Sequence, residues 1–175
     1  MGELSFSGYR ELGFQKVLLV EGPTDATTVQ QWLRLLGKDH TIVLLPLGGN
    51  TMINGNREAE LSEVCRISTD VHALIDSERA AAGAPLASDR QGFTTTCAKL
   101  GIHCHVLDRR ALENYLPDRA IKDVKGNAYS QLQPYDRLAD VQNSWGKAEN
   151  WRIARAMTEA ELTATGDLGA FLQAL

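Results

Sequence analysis

The sequence predicts an α/β protein built on a mostly parallel four-stranded sheet flanked by helices. Two observations carry that expectation. Short apolar runs at 16–20, 41–45, 71–75 and 102–107 recur at intervals of roughly 30 residues. Between them apolar residues return with helical spacing, and strands that alternate with helices form crossover units and a parallel sheet. No sequence repeat underlies the period, so a solenoid is not expected.

The elements follow in order. Residues 1–15 read as a lead-in segment in which Tyr9, Leu12 and Phe14 suggest a short amphipathic stretch. Residues 16–20 are the first strand. Gly22 then suits a helix N-cap, Pro23 the first helical position and Asp25 the first turn. Val29, Trp32, Leu33 and Leu36 fall at i, i+3, i+4 and i+7, and Gly37 is a natural stop. Residues 41–45 are the second strand, followed by a loop, Pro46-Leu47-Gly48-Gly49-Asn50. Leu61, Val64 and Cys65 set a helix over 57–67. The third strand, 71–75, runs directly into Asp76-Ser77-Glu78-Arg79. The small, Gly- and Pro-bearing segment 80–88 reads as a mobile loop. A helix from about 89 to 100 ends at Gly101, and 102–107 is the fourth strand.

Beyond residue 108 the alternation stops. A loop and a short helical turn end at Pro117, residues 118–144 are polar with weak helical signals, and helices follow around Trp151–Met157 and from about 166. The expected organisation is a lead-in (1–15), an α/β core (16–116) and a helical C-terminal extension (117–175) that caps the core.

At 175 residues the chain is the size of one domain. No apolar run approaches membrane-spanning length and no signal peptide opens the sequence, so a cytoplasmic protein with no membrane partner is expected. Cys65, Cys97 and Cys104 are odd in number and form no CxxC, as in a reduced compartment. The net charge of −4 is not that of a typical nucleic-acid binder, but it is unevenly spread. Residues 11–78 carry five Lys and Arg against ten acids, whereas Lys99, Arg109, Arg110, Arg119, Lys122 and Lys125 face four acids over 99–125. An acidic metal site beside a basic, phosphate-facing stretch would give this pattern, and so would an unevenly charged solvated surface.

Ligands of parallel sheets bind beyond the carboxyl ends of the strands. Glu21, Asp76 and Asp108 follow the first, third and fourth strands, and Asp25 lies one helical turn from Glu21. In extended chain Asp76 and Glu78 would face the same side. Carboxylates gathered in one place stay ionised together only beside a cation, and oxygen ligands without His or Cys select Mg²⁺ or Mn²⁺. Such ions leave ligand positions open for phosphate oxygens and water, which suggests phosphoryl or phosphodiester chemistry. Taken alone, Asp25 reads first as a helix-end acid. His103 and His105 share a strand face and lack further ligands at zinc spacing. Trp32, Trp145 and Trp151 read as packing residues.

An apolar strand leading to Glu21-Gly22-x-x-Asp25, then a strand ending in Asp76-Ser77-Glu78, resembles the Toprim domain of topoisomerases, primases and several nucleases. Glu78 stands where that domain usually has a second aspartate, which puts an oxygen ligand on a longer arm. Within Toprim proteins the chain more closely resembles the OLD (overcoming lysogenization defect) family of ATPase-linked nucleases. The likeness runs over roughly 16–172, through Leu47-Gly48-Gly49, Ile75–Arg79, Leu107–Arg110, Glu113-Asn114-Tyr115-Leu116 and Trp145-Gly146-Lys147.

The resemblance implies a Toprim-like fold and DNA cleavage with two Mg²⁺ or Mn²⁺ ions. Glu21, Asp25, Asp76, Glu78 and Glu113 would hold the metals, with Glu21 counted among the catalytic residues. Lys147 would stabilise charge on the scissile phosphate, with Lys122 and Lys125 as competitors for that role. Arg79, Arg109 and Arg110 would contact DNA. It further implies a role in phage defence and an ATPase domain or subunit outside this chain, in which no Walker motif occurs. Two other readings stand beside it. One is a degenerate module that binds nucleic acid or an ATPase without catalysis. The other is a topoisomerase or primase activity, with Tyr115 as the candidate topoisomerase nucleophile.

Overall fold

The computed structural model describes residues 13–48 and 58–175. Tyr9, Leu12 and most of the lead-in, and Gly49 and Asn50 of the loop after the second strand, lie outside the described residues.

Four strands, β1 (Lys16–Val20), β2 (Ile42–Pro46), β3 (Val71–Ile75) and β4 (His103–Val106), form an all-parallel sheet in the order β2-β1-β3-β4. The register pairs Leu18 with Leu44 and His72, and Ala73 with Cys104. β2 starts one residue later than its apolar run because Thr41 serves the preceding turn, its N–H donating to Lys38 O. Ile102 likewise closes the helix before β4 by donating to Cys97 O.

β1 is buried on both faces, and the period of two divides its side chains. Leu18 and Val20 enter one apolar cluster, while Val17 and Leu19 enter the other. The first cluster is built on Trp32 and Leu33 of α1 (Pro23–Leu35). The second packs Leu61 of α2 (Glu58–Ile67) with Phe93 and Cys97 of α3 (Ser88–Leu100).

The C-terminal region completes the first cluster. A 3₁₀ turn at Leu112–Tyr115 is followed by α4 (Asp118–Lys125), α5 (Asn150–Ala156), α6 (Glu159–Thr163) and α7 (Asp167–Ala174). Ile121, Ile153, Leu162, Leu168 and Leu172 are buried in the same cluster as Leu18 and Trp32. Residues 117–175 thus share the core of the sheet. Trp145 is buried there too, and its indole N–H donates to Asn150 Oδ1 at 2.8 Å. The helix at 159–163 has a capping box, with Glu161 N–H donating to Thr158 Oγ1 and Thr158 N–H to Glu161 Oε2. α6 and α7 meet so closely at Gly169 that a Cβ there would collide with Leu162 O.

The sheet order sets the position of any crevice. From β1 the chain goes to β2 on one side, and from β3 to β4 on the other. The switch point therefore lies between the carboxyl ends of β1 and β3, where open parallel sheets bind ligands. Glu21 and Asp76 are the residues that follow those two strands.

Candidate functional site

β1 and β3 are adjacent and parallel, so their next residues meet. Asp76 N–H donates to Glu21 Oε1 at 2.7 Å. Asp76 is buried, and its Oδ1 accepts the Leu112 N–H at 3.1 Å, which ties the 3₁₀ turn to the end of β3. That turn carries Glu113, which is only 3 % exposed, into the same place. Asp25 arrives from the first turn of α1, its Oδ2 accepting the Gly22 N–H at 2.9 Å. It is thus the helix-end acid that its position suggests, and it also feels the charges of Lys147 and Glu113.

Lys147 comes from a separate 3₁₀ turn, Lys147–Glu149. Its Nζ lies 3.0 Å from Glu113 Oε1 and 3.8 Å from Asp76 Oδ2. The competing lysines are engaged elsewhere. Lys122 pairs with Asp118, and Lys125 with Glu149, each at 2.6 Å.

A residue that the sequence reading did not single out completes the arrangement. Arg90, in the first turn of α3, is 4 % exposed. Its Nε donates to Asp76 O at 2.9 Å, its Nη1 to Asp89 Oδ2 at 2.9 Å, and its Nη2 lies 3.4 Å from both oxygens of Glu21. One guanidinium fork thus fixes the ends of both central strands. The only sequence signal was Asp89-Arg90 at a helix start, which surface helices share.

The electrostatics follow from crowding acids in a dry place. Burial lifts the Glu21 carboxyl to about 7 against the pull of Arg90, with Asp25 and Glu78 adding to the rise. Burial likewise raises Asp25, and raises Asp76 well above the usual carboxylate range, where Glu21 and Asp25 push it further. Burial alone would lower the Lys147 ammonium, but Asp76 and Glu113 outweigh it and hold the pKa above that of an ordinary lysine. Glu21, Asp25, Asp76 and Glu113 therefore lie among two internal cations, Arg90 and Lys147, the first of which is also shared with Asp89.

The donor set suits a hard divalent cation in its chemistry: all oxygen, with no His or Cys. Glu113 Oε2 is buried and has no hydrogen-bond partner, so one acceptor of the cluster is left over. Yet among the described residues no three Asp, Glu, His or Cys side chains already stand as a ready ligand set. Arg90 and Lys147 hold oxygens that a metal would take.

Other candidates are positioned differently. Glu78 does not continue the extended chain of β3: its φ is +53°, and its carboxylate pairs with Arg110. The same-side expectation for Asp76 and Glu78 fails for that reason. Asp108 is exposed, and its backbone N–H donates to Asp167 Oδ2 at 2.9 Å. Arg110 also donates to Arg79 O, while Arg109 donates to Asn114 O at 2.7 Å and stacks 4.7 Å from the centre of the Tyr115 ring. These arginines brace the loop after β4. Arg79 Nε is buried without a partner. Tyr115 is buried, and its hydroxyl donates to Asp167 while accepting the Arg109 N–H. His105 Nε2 also meets Asp167, at 3.1 Å, and His103 stacks on His72.

Comparison with family models, with curated proteins and with solved structures found no match to this chain. Among the described residues no helix is long and apolar enough to cross a membrane.

Proposed function

We propose that this chain is a divalent-metal-dependent endonuclease module of Toprim type that hydrolyses DNA phosphodiester bonds. The observation that carries the reading is the meeting of Glu21, Asp25, Asp76 and Glu113 at the switch point of the sheet, with Lys147 among them and Glu113 Oε2 left without a partner. Glu21, Asp76 and Glu113 are the residues that would hold Mg²⁺ or Mn²⁺, with Asp25 beside them and two ions expected from the resemblance. Bound metal would activate water and offset charge on the phosphate.

The remaining work belongs to the side chains. Lys147, 45 % exposed at its side chain, can turn from Glu113 toward a phosphate oxygen and offset charge there. Arg90 holds Glu21 and the Asp76 backbone in one geometry, which keeps both carboxylates at the same edge of the sheet. Asp25 fixes the start of α1 beside them. The ATPase partner and the phage-defence role belong to the same proposal and rest on the resemblance.

The test is nicking of supercoiled plasmid by purified protein in Mg²⁺ or Mn²⁺, with Glu21→Ala and Asp76→Asn alongside. The reading requires metal-dependent nicking that both substitutions abolish. Nicking that persists in chelator, or in both variants, defeats it.

A second reading, a non-catalytic module that binds nucleic acid or an ATPase, is favoured by the pairing of Glu78 with Arg110, which leaves one expected ligand committed elsewhere. The two readings part on metal affinity. No comparable observation favours the topoisomerase reading, since the Tyr115 hydroxyl is buried and engaged with Asp167.

A further inference from the structure

Beside the acid cluster, between the 3₁₀ turn Leu138–Asp140 and the segment leading to Lys147, lies a recess of about 430 Å³. Its lining is mixed. Leu138, Ala139, Trp145 and Ala111 are apolar, and Arg137 and Ser144 are polar, beside the paired Glu78–Arg110 and Glu113–Lys147. Arg137 is the loosely held cation among them. Its partner is Asp140 at 3.8 Å, with both side chains more than 60 % exposed, and an ion pair of that kind is worth little and is readily exchanged.

We propose that this recess is a subsite for a single unpaired nucleotide of a DNA strand, its base against the Leu138–Ala139–Trp145 wall and a phosphate on Arg137. The inference rests on the nuclease reading for the identity of the strand as DNA. A nucleotide has an apolar base face and an anionic end, and this recess has apolar lining for the one and Arg137 for the other. A guanidinium binds a phosphate through two parallel hydrogen bonds and does so better than it binds a distant carboxylate. The volume falls in the range of small-ligand sites. A single unstacked nucleotide can enter a recess of that size, whereas the bases of an intact duplex stay stacked and paired outside it. A strand seated here would run its next phosphate past Lys147 and Glu113. The substrate class is therefore unpaired or readily unpaired DNA, and supercoiled plasmid should be preferred over its relaxed linear form.

The test is fluorescence-anisotropy binding of a labelled single-stranded oligonucleotide and of the matching blunt duplex, with Ca²⁺ as the divalent ion. Wild type should bind the single strand several-fold more tightly. Arg137→Glu, which reverses the exposed charge, and Ala139→Trp, which fills the recess without changing charge, should each weaken single-strand binding about tenfold and remove the preference. Arg66→Glu, the same charge change on the exposed face of α2, should bind as wild type. The proposal is overturned if wild type does not bind the single strand, if Ala139→Trp binds it unchanged, or if Arg66→Glu weakens binding as much as Arg137→Glu. Failure of the nuclease reading looks different: the oligonucleotide pattern holds and wild type nicks no plasmid. Plasmid nicking by wild type together with normal binding by both recess variants leaves the nuclease reading standing and removes this one.

Discussion

Lys147 Nζ sits 3.0 Å from Glu113 Oε1, while the other oxygen of the same carboxylate is buried with no partner. One ammonium thus does part of what a divalent cation would do. It offsets charge from Glu113 and Asp76 and leaves an acceptor over.

Removing that ammonium should expose the repulsion. Lys147→Gln is expected to lower stability in chelator by roughly 1–2 kcal/mol, a figure below that for breaking a fully buried pair because the lysine side chain is 45 % exposed. Saturating Mn²⁺ should recover most of the loss. Thermal melts with and without the metal check this. An unchanged melting temperature in chelator contradicts it.

Arg90 is the more buried of the two cations, and its fork serves three partners. Arg90→Ala should cost about 3–5 kcal/mol, since it leaves Glu21 and Asp76 O in a dry place without their donor. Arg90→Lys should recover less than half, because a point ammonium cannot reach all three positions in the geometry of the fork. Urea unfolding of the two variants measures the difference.

The pH dependence has a defined sign. Glu21 titrates near 7 in the folded protein and near 4.5 when unfolded, so between these values the folded chain holds more protons. Stability of the metal-free protein should therefore fall as pH rises from about 4.5 to 7, by on the order of 3 kcal/mol from this group. Asp25 and Asp76 are raised as well and act in the same direction. Asp167 acts oppositely. Burial would raise it, but hydrogen bonds from His105, the Asp108 N–H and Tyr115 prevail and hold it low. Its contribution is present above about pH 4 and is lost as pH falls through its depressed folded value. A maximum in melting temperature near pH 5 in chelator, moving upward with Mn²⁺, is the expected profile. A rise in stability from pH 5 to 8 without metal contradicts it.

Two helical glycines should respond in opposite directions to alanine. At Gly169 the added methyl meets the Leu162 carbonyl, so Gly169→Ala should destabilise by about 1–3 kcal/mol. At Gly92 of α3 nothing lies within 4 Å, so Gly92→Ala should stabilise by about 0.5–1 kcal/mol. Denaturant midpoints read both.

β1 and β3 were legible to the residue because a central parallel strand is a continuous apolar run that stops at the first acid. Glu21 and Asp76 followed at once, since a parallel sheet sends the ends of neighbouring strands to one edge. Glu113 and Lys147 were singled out through the resemblance. Their approach to that edge depends on two 3₁₀ turns, for which composition carries almost no signal. Arg90 was missed because its partners lie 14 and 69 residues away, and nothing at a helix start reports that it will be buried. The Tyr115–Asp167 bond, across 52 residues, was hidden for the same reason. The helix at 159–163 is a different case. Its Thr158–Glu161 capping box was readable, but the segment is too short to have a periodic apolar face. Glu78 eluded the strand rule because its positive φ ends the alternation.

On the proposed reading the acids at the switch point form a divalent-cation site. Calorimetric titration of Mn²⁺ into wild type and Glu113→Gln at pH 7.5 tests it most directly. Wild type should bind saturably, with release of protons from the buried carboxyls, and Glu113→Gln at least tenfold more weakly. Absence of binding to wild type, or equal affinity in the variant, contradicts it.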